Sequence, residues 1–336
     1  MKAIVQTGYG SPHDVLELRD IAVPTIRDDE VLVRVHAASV HPDVWHVVRG
    51  IPYALRIMGS GVRRPTKVVP GTDIAGVVES VGANVSDLVP GDEVFGESAR
   101  GFQWSNGGAY AEFVAVPAAQ LARKPSPVSF EAAACAPTAG IIALLNLRGL
   151  PRDATGWAVL VNGAAGGVGS IAVQVAKARG ATVTGVDATD RLEAVASLGA
   201  DRVIDYTRED FTRGDARYDL IFDVPGNHSF GECKRALTTS GRYVLISHDA
   251  FGANGRRVLG SLPRMFGLVA RSPFSAHVEA NFAGPDKAAM TAELAELLET
   301  GQLTPLIDRT FPLAEAADAI HFMEQGLARG RIVLTV

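Results

Sequence analysis

Cysteine is scarce in this chain of 336 residues, which contains only Cys135 and Cys233. Two cysteines allow one disulfide at most, so a fold held together by several disulfides is excluded. The longest uncharged run, residues 132–147, has 16 residues and is interrupted by Pro137 and Gly140, so it is too short to span a bilayer. No apolar signal region follows the N-terminal MKAIVQTGYG, and together these absences predict a reduced, cytoplasmic protein.

Positive charge is also limited, because 32 lysines and arginines stand against 37 aspartates and glutamates and give a net charge of −5. That balance argues against a general nucleic-acid surface. The composition is otherwise ordinary for a soluble globular protein, with 47% hydrophobic and 21% charged residues. A chain of this length is too long for one compact core, so two domains are expected.

The sequence pattern changes twice along the chain. Residues 1 to about 120 hold short alternating apolar runs separated by Pro-Gly turns, which is typical of a mostly β domain. Strand and helix patterns then alternate from about 122 to 275, which predicts a doubly wound parallel sheet with right-handed crossovers. The predicted strands are 158–162, 182–187, 201–206, 218–224 and 241–247, with helices near 170–179, 190–198 and 229–238. The tail adds predicted helices near 287–300 and 314–326 and a closing strand, RIVLTV.

The most informative motif is VLVNGAAGGVGS, at residues 159–170. A strand-type run is broken by Gly163, Gly166, Gly167 and Gly169, a helical pattern follows, and Asp187 closes the next apolar run. Glycines permit a tight turn and a close approach to a pyrophosphate, which the free N–H groups of the helix N-terminus can bind. The acid can accept hydrogen bonds from the adenosine ribose, so the pattern predicts a nicotinamide dinucleotide site.

Taken together, these features resemble the medium-chain dehydrogenase/reductase superfamily, and the resemblance covers essentially the whole chain. It is carried by VHPDVW followed by Gly50, PGTDIAGVVESVG, PGDEVFG, GGAYAEF, Thr138–Ala139–Gly140, NGAAGGVG, LGADRVIDY, DLIFDVPG and ARGRIVL. Within the superfamily the chain looks like the zinc-independent branch of quinone oxidoreductases and enone or alkenal reductases.

The resemblance implies an α/β protein with two domains. A Rossmann dinucleotide-binding domain would comprise residues 123–275, and a mostly β, GroES-like catalytic domain would comprise 1–122 and 276–336. The active cleft would lie between the two domains, and a homodimer would form by extension of the parallel sheet. The expected substrate is a small quinone or carbonyl compound, with no nucleic-acid or membrane partner.

Zinc-dependent members of the superfamily carry a lobe of four clustered cysteines, which this chain lacks. Their catalytic metal positions correspond here to His41, to Thr72 in PGTD, and loosely to Cys135. Threonine is a poor zinc ligand, so no bound zinc is expected. A residual site made of His41, Cys135 and Asp43 remains open, since histidine and thiolate both bind zinc. The alternative for Cys135 is a small buried hydrophobe.

Without a metal, the protein must orient the nicotinamide and supply a hydrogen bond or proton to the oxyanion that develops on the acceptor. The predicted catalytic residues are Tyr53, His41 and Asp43. Tyr53 is the favoured donor, because a phenol is normally protonated at pH 7. His41 takes a place where relatives often carry asparagine, and it could equally do no more than satisfy backbone groups.

Asp187 governs the choice of cofactor. Its charge would repel the extra phosphate of NADPH, since two unit charges about 4 Å apart repel by roughly 1 to 4 kcal/mol. NADH is therefore favoured, although Arg191 or Arg202 could attract that phosphate and many zinc-free relatives use NADPH. The resemblance places the remaining cofactor contacts at Thr138, Asn162, Gly166, Gly167, Val168, Tyr206, Ile246, Ser247, Arg329, Gly330 and Arg331.

Two other classes of function remain open. One is a zinc-type alcohol dehydrogenase, which the missing histidine after Pro70–Gly71 disfavours. The other is a non-catalytic dinucleotide-binding sensor, which the fold does not exclude.

Overall fold

The structure is a computed structural model that describes residues 1–100, 105–246, 257–278 and 284–336. The chain divides into two compact units. The first comprises Met1–Ile141 and Asp286–Val336, and the second comprises Ile142–Pro285. Within the described ranges, every helix is too short or too polar to cross a membrane.

The strands, in chain order, are β1 (Lys2–Gln6), β2 (Leu16–Asp20), β3 (Glu30–Val40), β4 (Asp73–Val81), β5 (Glu93–Glu97), β6 (Phe113–Pro117), β7 (Leu121–Arg123), β8 (Ala158–Asn162), β9 (Thr182–Asp187), β10 (Arg202–Asp205), β11 (Tyr218–Asp223), β12 (Leu237–Leu245), β13 (Ile307–Pro312) and β14 (Arg331–Thr335). The α-helices are α1 (Pro12–Val15), α2 (Pro42–Arg49), α3 (Phe130–Ala134), α4 (Pro137–Asn146), α5 (Gly167–Ala178), α6 (Leu192–Ser197), α7 (Phe230–Arg235), α8 (Leu262–Val269), α9 (Lys287–Glu299) and α10 (Ala316–Glu324).

The first unit is built on the long strand β3, which pairs antiparallel with β4, β6 and β14. Most apolar side chains of β3 are buried, and Val31, Val33 and Val35 are at most 3% exposed. Strand β14 comes from the tail of the chain and places Ile332 opposite Val40. This pairing makes the tail part of the first unit and brings Arg331 to the end of β3, where His41 follows.

The second unit contains a parallel sheet with the strand order β10-β9-β8-β11-β12. In chain order this is 3-2-1-4-5, the doubly wound arrangement, and the order reverses between β8 and β11. The predicted α/β class with a parallel sheet is confirmed. The strand predicted at 241–247 instead begins at Leu237 and ends at Leu245, and beyond it Val278 forms a parallel bridge with Tyr243.

The core of the second unit explains why these strands form where they do. Short runs of β-branched and aromatic residues are bounded by glycine or polar turns, a pattern that favours buried parallel strands. Leu160, Val186 and Ile221 are fully buried together with Tyr218 and Tyr243 in one cluster. The polar residues that follow these apolar runs therefore lie at the carboxyl ends of the strands, where doubly wound sheets bind ligands.

Candidate functional site

The glycine motif forms a tight connection between β8 and α5. Gly163 has a φ of 79°, a left-handed conformation that glycine adopts without steric cost. Ala164 occupies the position where dinucleotide folds commonly have their first glycine, and Gly163 makes the left-handed turn one residue earlier. A Cβ on Gly169 would lie 2.0 Å from the carbonyl oxygen of Gly163. The helix can therefore approach the strand this closely only with glycine at position 169.

Helix α5 begins after Gly166, whose extended backbone leads directly into the first turn. The first N–H groups of an α-helix have no partner within the helix, so Gly167 and Val168 offer theirs at the helix N-terminus. No acidic residue lies in this first turn. The turn is consequently suited to a phosphate, because both the free N–H groups and the helix dipole favour negative charge.

Asp187 ends β9 directly beside this loop. Its Oδ2 accepts a hydrogen bond from the N–H of Ala165 at 2.8 Å, and its Oδ1 accepts one from the N–H of Ala188 at 2.9 Å. The residue is only 7% exposed. The structure therefore brings the predicted ribose-binding acid and the predicted pyrophosphate loop together.

The remaining residues predicted for the adenosine end lie around Asp187. The N–H of Tyr206 donates to the carbonyl oxygen of Asp187 at 3.2 Å, and the Tyr206 side chain is 53% exposed. Arg191 lies in the short turn Thr189–Arg191 that follows β9. Arg202 instead forms an ion pair with Glu209 at 2.8 Å.

Asn162, at the end of β8, lies directly opposite Asp223 of β11. Its Nδ2 donates to Asp223 Oδ1 at 2.8 Å, while the N–H of Ile246 donates to the carbonyl oxygen of Asp223 at 2.9 Å. Sequence reasoning missed Asp223, although it lies in the quoted DLIFDVPG segment. Ser247, which was predicted together with Ile246, lies outside the described residues.

In the first unit, His41 lies immediately before α2 and is 3% exposed. Its Nε2 is 2.9 Å from Thr72 Oγ1, and its Nδ1 is 3.8 Å from Asp43 Oδ2. Burial lowers the pKa of His41 below its usual value, an effect that Asp73 and Asp43 oppose and Arg331 reinforces. The imidazole is therefore neutral at pH 7 and can donate from one ring nitrogen and accept at the other.

A buried ion pair lies next to this histidine. Arg331 Nη2 donates to Asp73 Oδ2 at 3.2 Å and to Ser39 Oγ at 2.7 Å. Thr138 donates to Asp73 Oδ1 through both its hydroxyl group and its backbone N–H. Two residues that were predicted to contact the cofactor, Thr138 and Arg331, thus have polar partners inside the first unit.

A second ion pair continues this polar group. Glu97 binds Lys287 at 2.8 Å and lies 3.3 Å from the Thr138 hydroxyl. Burial raises the pKa of Glu97, although the Lys287 ammonium opposes the shift. The other tail residues predicted for the cofactor, Arg329 and Gly330, lie just before β14. The N–H of Arg329 donates to Asp308, and Gly330 passes so close to the Leu306 carbonyl that a Cβ would lie 2.6 Å from it.

Tyr53 has different surroundings from His41. Its side chain is 42% exposed, and the Arg56 guanidinium stacks 4.7 Å from the ring centroid. Across the described residues no hydrogen bond joins Tyr53 to His41. Among the predicted catalytic residues, His41 is buried beside the partly buried Asp43, and Tyr53 is an exposed phenol.

The residues that the resemblance matches to the metal ligands of zinc-dependent proteins make other contacts in this structure. His41 is bonded to Thr72, and burial raises the pKa of the Cys135 thiol to about 12 beside the Arg331 guanidinium. Burial therefore favours the protonated thiol of Cys135 at neutral pH. Among the described residues, no group of three His, Cys, Asp or Glu side chains is arranged to hold a metal ion.

Comparison with known proteins gives matches along the whole chain. Residues 27–126 match the alcohol dehydrogenase GroES-like domain, and residues 198–334 match the zinc-binding dehydrogenase family. The chain is 34% identical to 2-methylene-furan-3-one reductase of Solanum lycopersicum over 99% of its own length and 79% of the relative. It is also 34% identical to the chloroplastic NADPH-dependent alkenal/one oxidoreductase of Arabidopsis thaliana, with the same coverage of 99% and 79%.

Among solved structures, the quinone oxidoreductase from Coxiella burnetii superposes on this chain with a TM-score of 0.80. The two chains are 28% identical, and the match covers 100% of this chain and 99% of the other.

Proposed function

Since this chain belongs to the medium-chain dehydrogenase/reductase superfamily, we propose that it is a zinc-independent reductase of quinones or α,β-unsaturated carbonyls that prefers NADH. The observation that carries the proposal is the position of Asp187, whose carboxylate is hydrogen-bonded to the glycine loop at Ala165. Names of the relatives support a nicotinamide cofactor and this substrate class. The family matches also confirm the predicted superfamily and its GroES-like first domain.

The residues of the second unit fit a dinucleotide. A Cβ at position 169 would lie 2.0 Å from the Gly163 carbonyl oxygen, and the first turn of α5 contains no acidic residue. Gly166, Gly167 and Val168 would hold the pyrophosphate, and Asp187 would accept hydrogen bonds from the ribose hydroxyls. Tyr206 would line the adenosine, with Arg191 nearby, and Asn162 and Ile246 would face the nicotinamide half.

Reduction requires one hydride and one proton. When bound, the nicotinamide would supply the hydride, and the protein would supply the proton and stabilise the oxyanion of the acceptor. We assign oxyanion stabilisation to His41, because its neutral imidazole is held by Thr72 at Nε2, and Asp43 Oδ2 lies 3.8 Å from Nδ1. When the Thr72 hydroxyl donates to Nε2, the proton of the ring lies on Nδ1, which then acts as the donor.

Tyr53 is assigned as the proton donor. Its hydroxyl group belongs to a half-exposed side chain, so it can exchange protons with water. The Arg56 guanidinium over its ring fixes the orientation of the phenol.

The experiment that tests the proposal follows oxidation of NADH and of NADPH at 340 nm with a quinone, an enone and an aldehyde, each with and without chelator. Turnover of quinone or enone that is insensitive to chelator is the expected result. Activity on the aldehyde alone, lost on chelation, would establish a metal-dependent alcohol dehydrogenase instead. Nucleotide binding without turnover of any acceptor would establish a sensor.

Asp187→Ser tests the cofactor preference. Removing the charge is expected to raise the ratio of NADPH to NADH efficiency by at least about fivefold, since roughly 1 kcal/mol of repulsion is lost. Asp201→Ser is the matched control, because Asp201 precedes β10 and pairs with Lys177 at 2.9 Å. An equal ratio in the wild type and in Asp187→Ser would contradict the preference for NADH.

The proposal also includes a homodimer and a cytoplasmic location. The homodimer is what the family resemblance implies, and the cytoplasmic location is the expectation from the sequence. Light scattering of the purified protein tests the first, and cell fractionation tests the second.

A further inference from the structure

A buried carboxylate lies where the strand order of the second unit reverses. Asp223 is the last residue of β11, and its register partner in β8 is Asn162. The residue is completely buried. In doubly wound sheets, the ligand crevice lies at the carboxyl ends of the two strands between which the strand order reverses. A carboxylate buried at this point is therefore placed to influence ligand binding.

Asp223 receives hydrogen bonds from four donors. Its Oδ1 accepts from Asn162 Nδ2 at 2.8 Å and from the N–H of Gly226 at 2.9 Å, and its Oδ2 accepts from the Tyr243 hydroxyl at 2.7 Å. The backbone carbonyl accepts from the N–H of Ile246 at 2.9 Å. Three of these four donors bind the carboxylate itself, and both of its oxygens accept hydrogen bonds.

The loop after β11 is also packed against the glycine loop. The N–H of Val224 donates to the carbonyl oxygen of Asn162 at 3.1 Å, and Pro225 Cδ lies 3.1 Å from where a Cβ on Gly163 would be. Asn227 Oδ1 accepts the other hydrogen of the Asn162 amide at 3.0 Å. These contacts therefore connect residues 223–227 to the start of the glycine loop.

We infer that Asp223 is a positioning residue for the dinucleotide, acting through Asn162, Ile246 and the loop at Gly226. The inference rests on the proposed function, because it concerns the same cofactor site. Both amide hydrogens of Asn162 are used by Asp223 and Asn227, which leaves Oδ1 to accept a hydrogen bond from a ribose hydroxyl. Tyr243 holds the second carboxylate oxygen and so keeps Asp223 from rotating away from Asn162.

Two tyrosines of the same core make a matched test. Tyr243 and Tyr218 are 2% and 3% exposed and belong to one buried cluster. The Tyr243 hydroxyl donates to Asp223 at 2.7 Å, whereas the Tyr218 hydroxyl interacts with Thr184. Substitution of either residue by Phe removes one buried hydroxyl group, and only one of the two substitutions changes the surroundings of Asp223.

The measurement is the Kd for NADH, by titration of nucleotide fluorescence, with the intact protein. Tyr243→Phe is expected to raise the Kd about tenfold, the scale of losing one hydrogen bond to a charged group. Tyr218→Phe is expected to keep the wild-type value. In turnover, the KM for the nucleotide rises in Tyr243→Phe and the KM for the acceptor stays unchanged.

Equal Kd values for Tyr243→Phe and Tyr218→Phe, or no change in either, would overturn the inference. A wild-type protein that binds neither NADH nor NADPH would overturn the proposed function as well, so the two failures are distinguishable. If Tyr243→Phe fails to fold, the pair Asp223→Asn and Asp223→Ala replaces it. An asparagine amide can donate to the Tyr243 oxygen, so binding is expected to fall less in Asp223→Asn, and wild-type binding in both would overturn the inference.

Discussion

Arg331 and Asp73 form a buried ion pair although 258 positions separate them in the sequence, with Nη2 and Oδ2 3.2 Å apart. The two residues are 5% and 0% exposed. Arg331 opens β14 and Asp73 opens β4, so the pair fixes the tail of the chain to the sheet of the first unit. Thr138 and Ser39 also bond to the same carboxylate.

We predict that breaking this pair on one side destabilises the first unit more than removing both partners. Arg331→Met leaves Asp73 charged and buried without its counter-ion, which typically costs about 3–5 kcal/mol of unfolding free energy. The double variant Arg331→Met/Asp73→Asn buries no unpaired charge, so it is expected to recover part of that loss. Urea unfolding of the wild type, both single variants and the double variant gives the coupling energy. If the losses of unfolding free energy in the two single variants add up to the loss in the double variant, the two charges do not interact.

Gly169 gives a second prediction, because a Cβ there would lie 2.0 Å from the Gly163 carbonyl oxygen. Gly169→Ala forces α5 away from β8, and overpacking of this kind costs typically about 1–3 kcal/mol. Nucleotide binding is expected to weaken as well, since the shifted helix carries the N–H groups of the loop. Melting temperature and NADH titration measure the two effects.

Gly231 is the matched control for Gly169. It lies in α7, where the nearest atom to an added Cβ is Ser229 Oγ at 4.0 Å. Gly231→Ala is expected to stabilise the protein by up to about 1 kcal/mol, because alanine has the higher helix propensity. If Gly169→Ala is as stable as the wild type while Gly231→Ala behaves as expected, the close approach of Gly163 and Gly169 does not constrain the packing of α5.

The second unit shows how much of the fold could be predicted from the sequence. Apolar runs bounded by glycine and polar turns predict β8 at 158–162 and β9 at 182–187, and these are the observed bounds. The position of Asp187 next to the glycine loop was predictable too, because parallel strands bring their carboxyl ends to one edge of a sheet. The strand bounds depend on the local residue pattern, and the position of Asp187 depends on the fixed geometry of the β-α-β unit.

The polar network around Asp223 was not predictable in the same way. Asp223 follows an apolar run like any strand-end acid, and nothing local shows that Tyr243, 20 positions away, donates to it. The pairing of Arg331 with Asp73 likewise depends on the registers of β14 and β4 with β3. Hydrogen bonds between side chains that are distant in the sequence depend on how the whole chain packs. No single segment of the sequence determines them.

His41 gives a prediction about pH. Burial is the main cause that holds the pKa of His41 below its usual value, Arg331 contributes in the same direction, and the Asp73 and Asp43 carboxylates oppose it. As the pH falls below about 6.5, the unfolded chain takes up a proton on this histidine and the folded chain does not. The unfolded state then binds more protons, so stability contributed by the neutral imidazole is lost progressively between that pH and the lower folded pKa.

The slope is at most about 1.4 kcal/mol per pH unit for one group. His41→Gln removes the titrating ring, so its unfolding free energy is expected to depend less on pH between 5 and 6.5 than that of the wild type. Burial also lowers the pKa of His36, and both proteins retain that contribution, so their difference isolates His41. His13→Gln is the control, because His13 is exposed and pairs with Asp318 at the surface. Parallel pH profiles of the wild type and His41→Gln would show that His41 is not held neutral by burial.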